Sequence, residues 1–429
     1  MKHFGWRKSI CAGLLLTLLT GLWGCSGTGS APTTEVTAAE TTKESSVSAI
    51  TVSYPQIREK LTWDAIHAFP IKTPDMTVAE MRQLCVDFFY FSKTALWIPD
   101  RDWNYTIAGS GNPDSMTGGV VYGGLPYISY GCGNVYRLMD YIDEETGVVD
   151  MEEATVDPVL FGNQCSFGSY WGWARVINSA NYAYTSHMTQ ENGFLRVGPY
   201  TYEEGHLRFE EGVWDTRIII AENGPEIMCQ SYAQLQKADG VVVSSDGGHV
   251  MMCRTDAVVV YKDDGTINAD ESYVYILDQH AKWVEDTNEA GDTFLHKNFI
   301  NRKFTFNELM LQGYIPFTFA EFLGTDPVEE TVCTFSHEGD TITPAQVNSG
   351  TVTANYGISD IYALVKDSSG NTVLSAVSRT NKPTNTRNFF KKISTLWWEP
   401  YTDGNYTVEI VCQLGTGERL TLYTGKLVK

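Results

Sequence analysis

The clearest run of helical periodicity lies in residues 77–93. Thr77 and Glu80 stand three positions apart, which is the spacing of a capping box at the start of a helix. Apolar residues then recur at intervals of three and four positions: Met81, Leu84, Cys85, Phe88 and Phe89. The pattern predicts an amphipathic helix over 77–93 that packs its apolar face on the main domain.

Between residues 235 and 278 the pattern changes to short runs of alternating apolar positions, separated by turn residues. It predicts strands at 241–243, 249–253, 257–261 and 272–278, with a hairpin turn at Asp264-Gly265. These strands and the helix before them belong to a main domain over residues 55–326.

The last hundred residues show a third pattern. Short alternating segments with turns at 369–370, 403–404 and 416–417 predict an all-β sandwich of about seven strands, immunoglobulin-like, over residues 327–429. These residues hold no cluster of chemically reactive side chains. We therefore expect the C-terminal domain to be an accessory module that positions the main domain or binds a polymer.

The first residues are typical of a targeting signal. A basic start precedes an apolar run over 10–22, which is shorter than the roughly 20 residues of a spanning helix. Leu22-Trp23-Gly24-Cys25 resembles a bacterial lipoprotein signal, although Trp23 departs from the usual small or aliphatic residue. The interpretation is a signal peptide over 1–24, lipidation of Cys25, a flexible tether over 25–54, and a protein anchored on the extracellular face of the membrane. The alternative is ordinary secretion, with Cys25 as a bystander.

Composition and charge narrow the range of partners. The hydrophobic share of 43% excludes a mostly disordered chain. The 52 acidic residues outnumber the 31 basic ones, which gives a net charge of −21. No cluster of Lys and Arg follows the first eight residues, so we expect no nucleic acid partner.

Nine cysteines provide candidate nucleophiles and few candidate metal ligands. Cys11 leaves with the signal and Cys25 carries lipid, so an odd number remains, which favours at least one free thiol. No Cys-x-x-Cys pair or finger-like His spacing occurs, and we expect no metal site. Cys333 and Cys412 lie on predicted strands of the last domain and could form a disulfide.

Cys165 has the setting of a nucleophile. Gly162 and Asn163 form a turn, and the residues after them predict a helix from Cys165 to about Ser179. In the first turn of a helix, free N–H groups and the helix dipole favour a thiolate. Small residues share its face of the helix, so the helix can approach a sheet closely: Gly168, Ser169 and Gly172. The cysteines without such a setting are predicted to be buried apolar residues: Cys85, Cys229 and Cys253.

A thiolate needs a base, and His249 is the best placed histidine. It follows a glycine turn and opens a predicted strand, whereas four others lie in loop-like or charged segments: His187, His206, His280 and His296. A third polar group orients such an imidazole. Asp278 ends the strand over 273–277 and is the favoured partner. Gln279 is the alternative, because one residue of register decides which side chain faces His249.

These three residues, in this order along the chain, resemble the NlpC-type cell-wall peptidases of the papain-like superfamily. Residues 122–127 (Tyr-Gly-Gly-Leu-Pro-Tyr) resemble the family's Gly-aliphatic-Pro-Tyr segment ahead of the nucleophile. Cys165-Ser166 resembles its Cys-Ser-Gly start, and Gly248-His249-Val250 its Gly-His-Val strand. The resemblance covers about residues 77–320, and the long span from Cys to His contains an insertion over roughly 180–230 that is expected to shape the groove.

The resemblance implies a papain-like, NlpC-like domain of the α+β class, in which a helix packs on an antiparallel sheet. Such a domain hydrolyses amide bonds of bacterial wall peptides. In it the backbone N–H of Cys165 would stabilise the tetrahedral oxyanion, and Tyr127 would help to position the substrate or the oxyanion. Ser166 and Gln279 are the further candidates for contact with substrate or oxyanion.

The resulting hypothesis is a lipid-anchored cysteine peptidase or amidase that uses Cys165, His249 and Asp278 on peptidoglycan peptides and needs no cofactor. Two alternatives stay open at this point. One is a surface protein without catalytic activity that binds glycan or peptide in the same groove. The other is a papain-like acyl transferase of the transglutaminase type, which uses the same three kinds of residue.

Overall fold

The computed structural model describes residues 54–106, 113–128, 130–180, 182–202, 207–208, 213–245, 248–388 and 395–429. The predicted signal peptide, the lipidation site Cys25 and nearly all of the predicted tether lie outside these ranges. Among the described residues, no helix has both the length and the apolar character needed to cross a membrane.

The helices are α1 (Trp63–His67), α2 (Val78–Thr94), α3 (Val135–Leu138), α4 (Met151–Ala154), α5 (Pro158–Phe161), α6 (Cys165–Trp173), α7 (Thr216–Tyr232), α8 (Phe306–Gln312), α9 (Ala320–Leu323) and α10 (Pro344–Ser349). The strands up to the end of the first sheet are β1 (Leu96–Pro99), β2 (Trp103–Thr106), β3 (Pro113–Met116), β4 (Tyr122–Gly123), β5 (Ile142–Asp143), β6 (Val148–Val149), β7 (Leu195–Arg196), β8 (Leu207–Arg208), β9 (Val213–Trp214), β10 (Gly240–Val243), β11 (His249–Cys253), β12 (Tyr273–Thr287), β13 (Thr293–Thr305) and β14 (Ile315–Thr318). Those after it are β15 (Cys333–Phe335), β16 (Thr341–Ile342), β17 (Thr351–Lys366), β18 (Thr372–Asn388), β19 (Asp403–Leu414) and β20 (Arg419–Val428).

The first region is a large mixed sheet with helices, in the order β5-β6-β1-β4-β13-β12-β11-β10-β14-β7 within the described residues. The expected α+β class is therefore confirmed, but the sheet is not purely antiparallel, because β1 pairs with β6 and β4 with β13 in parallel. The centre of the sheet, β10 to β13, is antiparallel. Helix α2 packs on α6, and α6 packs on β11 and β12.

The capping box predicted for the first long helix is present. The Thr77 side chain accepts from the N–H of Glu80, and the Glu80 carboxylate accepts from the N–H of Thr77. The apolar face of α2 is buried in the main core, together with Trp173 from α6. Cys85, Cys229 and Cys253 are buried as predicted.

Two predicted boundaries in this region are wrong. Helix α6 ends at Trp173 rather than near Ser179, because the buried carboxylate of Glu321 accepts the N–H groups of Asn178 and Ser179 and directs the chain away. The predicted strand at 257–261 forms only isolated bridges, through Val258 and Tyr261. Between these bridges, the N–H of Val260 donates to the Ser272 hydroxyl and not to the carbonyl of a neighbouring strand.

The C-terminal region departs from the expected sandwich. Its six described strands form a single, strongly curled sheet rather than two stacked ones, in the order β15-β17-β19-β20-β16 with β18 paired to β17. Strands β17 and β18 are 16 and 17 residues long, with register shifts between them that let the sheet bend. The turns at 369–370 and 416–417 are present, whereas Asp403 opens β19.

Two features of this sheet bear on the rest of the molecule. The curl brings β15 against β20, and the side chains of Cys333 and Cys412 lie in hydrogen-bond contact without a disulfide bond between them. A buried ion pair joins the sheet to the first region: Arg137 Nε of α3 lies 3.0 Å from Asp360 Oδ1 of β17. The predicted domain boundary near 326 falls in the segment between α9 and β15.

Candidate functional site: a Cys-His-Asp cluster

The candidate nucleophile is the first residue of α6. Asn163 positions the start of this helix, since its N–H donates to Pro126 O at 2.9 Å and its carbonyl accepts from Ile128 N at 2.8 Å. Gln164 then takes an extended conformation as the N-cap, and Cys165 is 6% exposed. Because it opens the helix, the N–H of Cys165 has no carbonyl partner within the helix.

His249 opens β11, as predicted, and pairs with Val243 of β10. Gly248 before it has φ +70, and a Cβ there would stand 2.0 Å from Thr185 Oγ1. A side chain at this position would therefore push away the segment around Thr185, which belongs to the predicted insertion over 180–230. The insertion therefore packs directly on Gly248, the residue before His249. The His249 side chain keeps 22% of its surface exposed.

The register between β11 and β12 decides which residue faces the imidazole. Leu277 lies opposite Met252 and Ile276 opposite Cys253. Continued alternation along both strands puts Asp278 on the face of the sheet that His249 shares with Met251, and Gln279 on the other face. Asp278 Oδ2 lies 3.1 Å from His249 Nε2, while Oδ1 accepts from Phe299 N at 2.9 Å. A carboxylate only accepts, so Nε2 donates to it and Nδ1 is left to face the thiol.

The thiol and the imidazole form a coupled pair. Burial alone would raise the pKa of the Cys165 thiol, but the charge and hydrogen bond of His249, with the N–H groups of Val250 and Ser166, bring it below its ordinary value. Burial alone would lower the pKa of His249, yet Cys165 and Asp278 raise it to about 10. Both shifts favour the thiolate–imidazolium form of this pair over the neutral form.

Tyr127 completes the front of the site. It forms an isolated bridge with Asn163, and its side chain is in hydrogen-bond contact with Cys165. Burial, followed by the neighbouring Cys165, raises the pKa of the Tyr127 hydroxyl, which therefore stays protonated and can donate. A hydroxyl donor beside the thiol is suitably placed for the developing oxyanion.

The other two substrate candidates lie away from the open side. Gln279 is completely buried: its Nε2 donates to Leu125 O at 2.7 Å and its Oε1 accepts from the Lys93 ammonium. It belongs to the layer behind the site rather than to the imidazole or to a substrate. The Ser166 hydroxyl is also buried, 3.1 Å from Tyr182 OH, so only its backbone N–H reaches the thiol.

The described histidines that the sequence does not favour as the base make no contact with the Cys165 thiol. His280 stacks on Phe299 with ring centroids 3.8 Å apart, and burial lowers its pKa to about 4. His296 is buried and neither ring nitrogen has a hydrogen-bond partner. His187 is exposed in a 3-10 turn, and His206 lies outside the described residues.

Sequence analysis missed Lys93 and Gln164. Lys93 continues the apolar stripe of α2, four positions after Phe89. A lysine on an otherwise apolar helix face indicates a buried charge, and this pattern is visible in the sequence. Gln164 accepts from Tyr130 N at 2.9 Å and donates to Ser166 and Tyr182, which holds the loop before the helix. Tyr130 has φ 62, a strained value for a residue other than glycine.

In the described part of the chain, no three His, Cys, Asp or Glu side chains are grouped so as to hold a metal ion. Comparison of the whole chain with known proteins returns no matching family model, no matching curated protein and no matching solved structure.

Proposed function

We propose that the protein is a cysteine hydrolase of amide bonds, with a papain-like arrangement of Cys165, His249 and Asp278. The observation that carries this proposal is the chain of contacts from the thiol at a helix start, through an imidazole, to a buried carboxylate. A thiolate nucleophile, a base that can return the proton, and a group that orients the base are the parts that acyl transfer requires.

The geometry supports a sequence of steps for this chemistry. The Cys165 sulfur attacks the amide carbonyl while the N–H of Cys165 and the Tyr127 hydroxyl stand close to the developing oxyanion. His249 then gives its Nδ1 proton to the departing amine, which leaves a thioester on Cys165. Attack of water on the thioester, assisted by the same imidazole, releases the acid and restores the thiol.

The substrate class comes from the sequence resemblance to NlpC-type peptidases, which favours peptides of the bacterial cell wall. The same resemblance, with the lipoprotein-like signal and Cys25, supports a lipid-anchored protein of the cell envelope. The C-terminal curled sheet is then an accessory region that positions the hydrolase or binds wall polymer.

Mass spectrometry of wall peptides incubated with the protein tests this proposal. We expect cleavage of one amide bond by wild-type protein and none by Cys165→Ala. Incubation with an added primary amine distinguishes the acyl transferase alternative, because transfer would add the mass of the amine to the product. Intact peptides in every incubation, together with binding to them, would favour the alternative without catalysis.

A further inference from the structure

Lys93 is a buried cation without a carboxylate of its own. It lies in the last turn of α2, is 1% exposed, and donates from Nζ to Gln279 Oε1. Its ammonium also lies 4.8 Å from the ring centroid of Phe89. Among the described residues, no Asp or Glu oxygen comes within ion-pair distance of this ammonium. Burying a charge in this way lowers the stability of the folded protein unless a group of opposite charge or a polar group nearby compensates for the lost hydration.

The ammonium lies directly beneath the helix that carries the thiol. A Cβ built on Gly168 would stand 2.6 Å from Lys93 Nζ, 3.3 Å from Gln279 Oε1 and 3.4 Å from Asn163 Oδ1. Gly168 lies three positions after Cys165, on the same face of α6. The absence of a side chain at Gly168 therefore makes room for the lysine under the first helical turn.

Two groups that can carry negative charge lie close enough to act on the charge of Lys93: Asp278 from β12 and Cys165 from α6. The neighbouring strand β13 contributes only an amide, since Asn298 Nδ2 donates to the Lys93 carbonyl at 3.1 Å. Burial lowers the pKa of Lys93 to about 7, while the charges of Asp278 and Cys165 act in the opposite direction. Near pH 6, below this pKa, Lys93 is therefore mostly protonated.

We propose that Lys93 is a positioning residue of the thiol site: its ammonium, held by Gln279 beneath Gly168, stabilises the Cys165 thiolate from behind. This inference rests on the proposed function, in which that thiolate is the nucleophile. It also assigns Gln279 a role, since Gln279 connects the lysine to the strand that carries Asp278. Interaction with a nearby cation favours the charged form of a thiol, so loss of Lys93 raises the pH at which Cys165 ionises.

The test is the pH profile of alkylation of Cys165 by iodoacetamide, followed by mass spectrometry of the Cys165 peptide in the full chain. With Lys93→Met, we expect the acid limb of the profile to move up by roughly half to one pH unit. Alkylation would then be about three- to tenfold slower near pH 6 and unchanged well above neutrality, where the thiol is ionised in both proteins.

The matched control is Lys72→Met. Lys72 is also buried, but its ammonium donates to Glu329 O at 2.7 Å and to Thr331 Oγ1, at the edge of the C-terminal region. This variant also loses a buried ammonium, so we expect it to change the melting temperature and to leave the pH profile of Cys165 unchanged. If the pH profile of the control variant shifted as much as that of Lys93→Met, the effect would come from general destabilisation, and the inference would be overturned.

Gly168→Ala tests the same inference while keeping the charge. The new methyl group forces the flexible end of Lys93 away from the helix, and alanine is a better helix former than glycine, so α6 should still fold. We expect a shift in the same direction and smaller than that of Lys93→Met. Unchanged profiles in both variants would overturn the role of Lys93 and leave the hydrolase proposal in place. Failure of wild-type Cys165 to react faster near pH 6 than the buried thiols would contradict the hydrolase proposal itself.

Discussion

Two buried clusters of charge in this molecule are built in opposite ways. At the contact with the C-terminal sheet, Arg137 and Asp360 have side chains that are 1% and 0% exposed. The Arg137 guanidinium also donates to Cys132 O at 3.0 Å and Ser359 O at 3.2 Å, so its donors are well supplied with acceptors. At the candidate site, by contrast, the imidazole is partly open and Lys93 has only a neutral acceptor within hydrogen-bond distance.

Buried polar atoms without a hydrogen-bond partner occur in both regions and do not distinguish the clusters: Asn163 Oδ1, Ser169 Oγ and Asn298 Oδ1 around the candidate site, and Arg387 Nη1 and Gln413 Oε1 in the C-terminal sheet. What differs is the kind of group. A buried ion pair of Arg and Asp holds two parts of a protein together, whereas a thiol and an imidazole with shifted pKa values are groups typical of sites where chemistry takes place. The first cluster therefore fits a structural role and the second fits the reactive role proposed for it, and each of the following substitutions changes one of the two clusters.

The largest expected effect is that of Cys165→Ala. The covalent step is lost, so turnover of a wall peptide should fall at least about ten-thousandfold. The melting temperature should stay close to that of wild type, because only a small side chain is shortened. The rate of peptide cleavage and the melting temperature are measured together. Measurable turnover by the folded variant would remove Cys165 from the mechanism.

Asp360→Asn should act on folding and not on the thiol. It leaves the Arg137 guanidinium buried beside a neutral group, and breaking a buried pair in this way costs about 3–5 kcal/mol. Urea unfolding measures the loss. The matched control is Glu409→Gln, which removes the partly exposed ion pair with Lys366 in the same sheet and should cost less than about 1 kcal/mol. If the two variants lost the same free energy of unfolding, the distinction between a buried and a partly exposed ion pair would be contradicted.

Asp278→Asn should lower turnover by roughly a thousandfold, less than Cys165→Ala does. Both carboxylate oxygens are in use, one by His249 Nε2 and one by Phe299 N, so an amide can satisfy only one of these donors. Loss of the carboxylate also lowers the pKa of His249, which is about 10 in the native site. The alkaline limb of the pH–rate profile should therefore move to lower pH. If Gln279→Ala lost most of its turnover while Asp278→Asn kept it, the register assigned to β12 would be wrong.

The smallest effect is expected for Tyr127→Phe. It removes one hydroxyl beside the Cys165 sulfur and leaves the thiolate and imidazolium in place, so turnover should fall about tenfold to a hundredfold. Alkylation of Cys165, which forms no oxyanion, should keep its rate. Tyr182→Phe is the control, because that hydroxyl bonds to the buried Ser166 side chain. A slower alkylation in Tyr127→Phe would mean that the hydroxyl acts on the thiolate instead.

Several features of the site could be predicted because they depend on neighbouring residues. The capping box over Thr77 and Glu80 and the starts of α6 and β11 follow from spacing, turn residues and the alternation of apolar positions. The candidate residues Cys165 and His249 stand out for the same reason, since each opens a helix or a strand. The mixed α+β class of the first region also follows from where each pattern occurs along the chain.

What the sequence by itself determined is therefore local: which segments form helices and strands, and which reactive side chains stand at their ends. Only the tertiary structure decided how these segments meet. The register of β12 against β11 places Asp278 and not Gln279 on the imidazole, because it depends on how the two strands pair and not on β12 alone. Alternation shows which face of a strand is apolar but not which strand lies beside it, so the curled sheet was predicted as a sandwich. The position of Lys93 beneath Gly168 joins residues far apart in the chain, and only packing brings them together.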